Sequence, residues 1–140
     1  MAEPLKLHYD VLGGDFTSAG NASVLAKKVL RQLGYDPEII RRVSIAMYEG
    51  EINMVIHANG GVVDIVVYPE YIELVLADKG PGIPDVAQAM QEGFSTAPDN
   101  IRSLGFGAGM GLPNMKRYSD TFQIDSELGR GTCILMTVNL

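Results

Sequence analysis

Four groups of residues have the types and spacing to do chemistry, and the densest is Gly105-Phe106-Gly107-Ala108-Gly109-Met110-Gly111-Leu112. A glycine at every second position surrenders backbone entropy and packs nothing, so neither a regular strand nor a regular helix tolerates the run. Such a run makes sense where backbone N–H groups turn inward against a bulky anion. A phosphate is the natural guest. A helix expected from about Pro113 adds its positive end to the same spot. Two familiar phosphate loops are excluded. No Gly-x-x-x-x-Gly-Lys-Ser/Thr occurs in the chain, which removes the P-loop. The spacing Gly-x-Gly-x-x-Gly also fails, because the sixth position is Met110 counted from Gly105 and Leu112 counted from Gly107. A flexible surface loop is the plain alternative for the run on its own.

The second group is Glu49, Asn53 and His57, each four residues from the next. On a helix these lie one above another, off the apolar stripe. Glu51 points nearly the opposite way from Glu49, so the two carboxylates do not form a pair. Taken alone, a Glu–Asn pair on a solvated face is ordinary. The third candidate is Asp78, at a strand end before Lys79-Gly80-Pro81-Gly82. It suits either an anchor for its own turn or an acceptor for an exocyclic amine, with the glycines letting the chain pass close to a flat ring. The fourth is Thr132, after Gly129-Arg130-Gly131. Its hydroxyl can open a strand without further role or reach a buried polar ligand.

These residues need elements to hold them. Leu5–Val11 alternates apolar and polar and reads as a strand, with His8 on its solvated phase. A helix capped by Thr17 or Ser18 is expected to reach Leu33, with Val24, Leu25, Val29, Leu30 and Leu33 buried and Gly34 as its stop. Asp36-Pro37-Glu38 opens a second helix, through about His57. Its core stripe is Ile39, Val43, Ala46, Met47, Gly50 and Met54, and Gly50 there signals a close backbone approach. Val62–Tyr68 and Tyr71–Ala77 form a hairpin over Pro69-Glu70. The stretch 84–104 is loop-like, with a short helix expected around 86–91, and suits a mobile lid. A helix to about Tyr118, a strand Thr121–Ser126 and a strand Thr132–Leu140 complete the chain. The pattern implies an α+β fold, a two-layer sandwich with a mixed sheet and helices on one face.

The 140 residues are expected to form a single domain over 1–140. A net charge of −6 argues against nucleic acid, whose binding needs Lys and Arg to neutralise phosphates. No apolar run approaches a membrane span, and Met1–Lys6 lacks the regions of a signal peptide. A cytoplasmic location is the expectation. The single cysteine, Cys133, excludes an internal disulfide and is expected to pack in a strand as a small apolar side chain.

Glu49-x-x-x-Asn53, Asp78-x-Gly80-x-Gly82, the glycine run through Gly111-Leu112, and Gly131-Thr132, in this order, resemble the GHKL ATPase/kinase family. Its members share the Bergerat ATP-binding fold and include DNA gyrase and the histidine-kinase catalytic domain. The resemblance implies ATP and Mg²⁺. By it, Asn53 supplies an oxygen to the metal, Asp78 receives the adenine amino group with Thr132 nearby, and Gly80 and Gly82 shape the adenine pocket. Gly105, Gly107, Gly109, Met110, Gly111 and Leu112 wrap the phosphates. Glu49 orients and deprotonates the attacking hydroxyl, a role that is mainly positioning in a loose phosphoryl-transfer transition state.

The short chain resembles the small bacterial serine kinases of partner-switching systems. These phosphorylate Ser or Thr on STAS-domain proteins, either a stressosome scaffold or an anti-anti-sigma antagonist. Gly111-Leu112-Pro113-Asn114-Met115-Lys116-Arg117 and Asp120-x-Phe122-x-Ile124 resemble the RsbT type, the stressosome switch kinase. His57 departs toward the anti-sigma type of RsbW and SpoIIAB. The implied partners are therefore a STAS-domain substrate and a downstream regulator or sigma factor, with no nucleic acid and no membrane. A non-catalytic nucleotide-gated binding module and a plain ATPase stay open beside the kinase.

Overall fold

The computed structural model describes residues 4–13, 19–58, 60–83, 86, 90 and 111–140. In chain order its elements are β1 (Leu5–Leu12), α1 (Asn21–Gln32), α2 (Pro37–His57), β2 (Gly60–Val67), β3 (Tyr71–Ala77), α3 (Gly111–Arg117), β4 (Thr121–Glu127) and β5 (Gly131–Asn139). The short helix and lid expected over 84–104 fall largely outside the described residues, as do Gly105, Gly107, Gly109 and Met110.

The strands form one five-stranded sheet in the order β1-β2-β3-β5-β4. Every described pairing is antiparallel, which corrects the mixed sheet expected from sequence. Two helices separate β1 from β2, so the chain has reversed when it returns. β3 and β4 run the same way, but β5 lies between them.

Register then builds the core. Leu7, Ile65, Leu74, Met136 and Phe122 line up across the strands, and Tyr9, Val63, Leu76, Ile134 and Ile124 form the next row. Ile65, Leu74 and Met136 are wholly buried, and each such side chain stabilises the fold by about 1.5–3 kcal/mol. Helices cover this face: α2 touches β1, β2, β3 and β5, α1 touches β1, and α3 touches β4. The opposite face carries Lys6, His8, Asp10, Gln123 and Asp125, all exposed.

The α2 helix starts and stops where its sequence signals place it. Asp36 accepts a hydrogen bond from the Glu38 N–H at 2.8 Å, Pro37 takes the first helical position, and the helix ends at His57. Val43, Ala46, Met47, Gly50 and Met54 are buried, while Ile39 is only partly so and Ile40 takes its place in the core. A Cβ at Gly50 would collide with the Leu76 side chain. Here the helix rests directly on β3.

α1 departs from its expectation. It begins at Asn21, not after Thr17 or Ser18, and its N-cap Gly20 has no side chain to offer the open turn. The buried stripe is Ala22, Ser23, Ala26 and Leu30, while Val24, Leu25 and Leu33 are exposed. The cap comes instead from α2. Glu51 accepts hydrogen bonds from the Gly20, Ala22 and Ser23 N–H groups and from the Ser23 hydroxyl, at 2.8–3.2 Å. This buried carboxylate satisfies the orphan donors and offsets the positive end of α1. Gly34, at φ +81°, does stop the helix. Its N–H bonds to the Arg31 carbonyl and the Tyr35 N–H to that of Leu30, the Schellman arrangement.

Cys133 is also corrected. Its neighbours Thr132 and Ile134 face the core, so Cys133 points to the open face and is exposed. Burial of part of the thiol and the nearby Asp125 and Asp78 push its pKa up, away from the reactive thiolate.

Candidate functional site

The core-facing rows change character at one end of the sheet. After Val63, Leu76, Ile134 and Ile124, the next core-phase positions are Gly61, Asp78, Thr132 and Ser126. The last three place polar side chains at this end of the core-facing side, beside the C-terminal end of α2. The Asp78 N–H donates to the Thr132 carbonyl at 2.9 Å, one step beyond the last β3–β5 pair.

Each polar group here is held by others. Asp78 Oδ1 accepts from the Gly80 N–H at 2.9 Å and from the Thr132 N–H at 3.2 Å. Among the described residues, no hydrogen bond reaches Asp78 Oδ2. The Thr132 hydroxyl lies 2.8 Å from the Ser126 hydroxyl, which accepts from the Ile83 N–H at 2.7 Å. Gly82 has φ +81°, and a Cβ there would run into the Glu127 carbonyl, so the backbone after Asp78 passes close under the β4–β5 turn. An open depression of about 490 Å³ touches Asp78, Ser126 and Thr132 at this end of the sheet but also Ala77, Asp125 and Cys133, which form one row of the open face, so it does not outline the core-side cluster. A carboxylate oxygen, two hydroxyls and flanking glycines can take a flat heterocycle bearing an amine.

The depression stops short of Glu49 and Asn53, which are placed by α2. The end of that helix meets the Asp78 turn: a Cβ at Gly80 would lie 2.7 Å from the Ala58 Cβ. At 1.5 Å rise per residue, Glu49 sits about 13 Å back along the axis, with Asn53 between. There the helix meets α3. The Asn114 side-chain amide donates to Glu49 Oε1 at 3.4 Å, and a Cβ at Gly111 would come 3.7 Å from Glu49 Oε2. Burial pushes the Glu49 carboxyl above its ordinary range, and the Asn114 hydrogen bond pulls partly against that. A carboxylate so placed is a better base than a solvated one. His57, the third of the row, is largely buried, and burial lowers its pKa, so it is neutral near pH 7.

The sequence-derived candidates thus fall into two clusters joined by α2. Asp78, Gly80, Gly82 and Thr132 form one. Glu49, Gly111 and the start of α3 form the other, with Leu112 buried behind it. Asn53 lies between them on the helix. Ser126, Asn114 and Glu51 were not picked out as site residues from sequence. Ser126 carried a signal: it is a polar residue on the apolar phase of Phe122 and Ile124. Glu51 carried another, since it follows Met47 by four residues and so falls on the buried stripe. Asn114 gave none, because its partner is 65 residues away.

The fold and this pair of clusters suit a nucleotide-binding domain, and comparison with known proteins gives the family. Residues 15–138 match the family described as the histidine kinase-like ATPase domain. The chain belongs to that family. Among curated relatives, the Bacillus subtilis serine/threonine-protein kinase RsbT is 32% identical over 115 residues, covering 79% of this chain and 80% of that protein. The Clostridium acetobutylicum anti-sigma F factor is 36% identical over 104 residues, covering 71% and 69%. The Clostridium novyi anti-sigma F factor is 33% identical over 125 residues, covering 85% and 84%. Among solved structures, the mycobacterial sensor histidine kinase MprB is similar in fold, with a TM-score of 0.54, 20% identity and coverage of 96% and 97%. Among the described residues, no helix is long and apolar enough to cross a membrane.

Proposed function

We propose that this protein is an ATP- and Mg²⁺-dependent serine/threonine protein kinase of the partner-switching kind. It acts in the cytoplasm, as a single domain, on a STAS-domain scaffold or antagonist, in the manner of the RsbT type. One observation carries the reading: a single helix joins a turn that holds the Asp78 carboxylate by one oxygen, at its end, to a half-buried carboxylate beside the last glycine of the glycine run.

In this reading, the Asp78 carboxylate holds the adenine amine through Oδ2. Its Oδ1 stays tied to Gly80 and Thr132, which fixes the carboxylate plane. The Thr132 hydroxyl reaches the same base edge, steadied by Ser126, while Gly80 and Gly82 let the backbone lie against the ring. Gly105, Gly107, Gly109, Met110, Gly111 and Leu112 enclose the phosphates. Bound Mg²⁺ neutralises phosphate charge and orients the transferred group. Asn53 fits it as a lone amide oxygen, since magnesium keeps water and phosphate ligands. Among the described residues no cluster of acids, histidines and cysteines forms a protein cage. Glu49 orients the acceptor hydroxyl and takes its proton.

Transfer itself is the test. The full chain and its Glu49→Gln variant are incubated with Mg-ATP and STAS-domain proteins from the same source, and intact mass is read. Gain of one phosphate on a Ser or Thr, abolished in the variant, is expected. The relatives named anti-sigma F factor favour a second reading, a kinase that also holds a sigma factor. Co-purification of a sigma factor, tightened by nucleotide, would select it. Firm ATP binding without transfer to any acceptor would leave a nucleotide-gated binding module.

A further inference from the structure

The Glu49 carboxylate rests across the first turn of α3. Its Oε2 faces Gly111, and its Oε1 accepts from the Asn114 amide. Gly111 and Asn114 are three residues apart, so they share one side of the helix: Gly111 lies alongside one carboxylate oxygen, where even a Cβ would be in ordinary contact, and Asn114 is the donor that catches the other. We propose that Asn114 is a positioning residue, turning the Glu49 carboxylate toward the acceptor hydroxyl and tying its orientation to the helix that begins at the last glycine of the run. This rests on Glu49 being the base of the reading above.

The residue type fits the task. A lysine or arginine in this place would hold the carboxylate more tightly but draw its pKa down, making it a poorer base. A side-chain amide directs the oxygen with no charge of its own. Among the described residues, burial raises the Glu49 pKa and the Asn114 hydrogen bond pulls against it. Tyr48, beside it on α2, is itself pushed up by burial first and then by Glu49 and Glu51. Glu51 is turned into the α1 cap, and Lys116 and Arg117 on α3 are exposed. The Asn114 bond is therefore the adjustable contact on this carboxylate among the described residues.

A purely interhelical tie would affect folding without tuning the carboxylate, so the test reads the carboxylate directly. Glu49 is titrated by carboxyl carbon NMR in the full chain, assigned with Glu49→Gln, and compared in Asn114→Ala and the near-isosteric Asn114→Asp. The midpoint is expected to rise in Asn114→Ala, where the donor is lost. It should rise further in Asn114→Asp, where a second negative charge replaces it. Mg-ATP affinity should be unchanged in both, while turnover of Mg-ATP falls about tenfold near pH 7. A Glu49 midpoint that stays fixed or falls in the variants overturns the proposal, whatever happens to turnover. Unchanged turnover in Glu49→Gln instead overturns the base assignment, and the titration still judges the contact to Asn114.

Discussion

At the scale of the residue, what distinguishes this site is which oxygen of each carboxylate is already engaged. Asp78 uses Oδ1 for two backbone N–H groups. In Asp78→Asn the amide oxygen can keep those bonds while the amide nitrogen takes the position of Oδ2. A donor then meets the adenine amine, also a donor. Mg-ATP affinity measured by calorimetry should fall about tenfold or more, with melting temperature nearly unchanged. Equal affinity in the variant would remove Asp78 from the nucleotide contact. On the far face, His8 lies between two carboxylates, with Nδ1 2.5 Å from Asp64 and Nε2 3.3 Å from Asp10. The hydrogen bond to Asp64, then that to Asp10, raises its pKa above the ordinary 6.5. Its contribution to stability is therefore full below about pH 6.5 and is lost as pH rises through the folded value. The pair is exposed, so the effect is small. The melting-temperature difference between the wild type and His8→Gln should shrink as pH rises from about 6 to 8. A difference that stays constant over this range would mean that the His8 pair does not titrate with folding. His57, shifted the opposite way by burial, is common to both proteins and cancels.

At the scale of the element, α2 is the member that everything else leans on. It covers four strands, meets α3 through Glu49, and caps α1 through Glu51. Glu51→Ala would strip four hydrogen bonds from the first turn of α1 and leave buried N–H groups without partners. The expected loss is about 3 kcal/mol, or roughly 10 °C in melting temperature, read by circular dichroism. A change within a degree or two would show that another group caps α1. This helix also shows what the sequence made legible and what it did not. The bounds of α2 were written locally, in Asp36, Pro37 and the spacing of Val43, Ala46, Met47 and Gly50. Those of α1 were not, because its cap lies on another helix 28–31 residues away. Its inward face was misread because Val24, Leu25 and Leu33 form an apolar phase as plausible as that of Ala22, Ala26 and Leu30. Small residues win where α1 presses close to α2. The sheet order escaped for a similar reason, since no local signal says that β5 inserts between β3 and β4. In the site, residue types and order were legible, but pairings such as Asp78 with Thr132, 54 apart, come from the fold.

At the scale of the whole molecule, a net charge of −6 sets a problem for a protein that binds a polyphosphate. Asn53 is neutral, and the described residues contain no acidic cluster able to hold a divalent ion by themselves. In the proposed reading the metal arrives with the phosphates it neutralises, and nucleotide binding should depend on it. A ligand that binds only the folded state adds stability by mass action, about 2.7 kcal/mol at one hundred times its dissociation constant. For a chain of this size, that is a rise of roughly 8–10 °C. Mg-ATP is therefore expected to raise the melting temperature by this amount, ATP with EDTA by much less, and Mg²⁺ alone not at all. A large shift from Mg²⁺ alone would reveal a metal site made by the protein, separate from the nucleotide. The lone-ligand assignment of Asn53 would then fail. An undiminished shift from ATP with EDTA would show instead that the glycine run and the positive backbone ends carry the phosphate charge unaided. Either result would move the electrostatic work of the domain from metal to backbone or from backbone to metal, and Asn53→Ala, measured in the same three conditions, would tell the two apart.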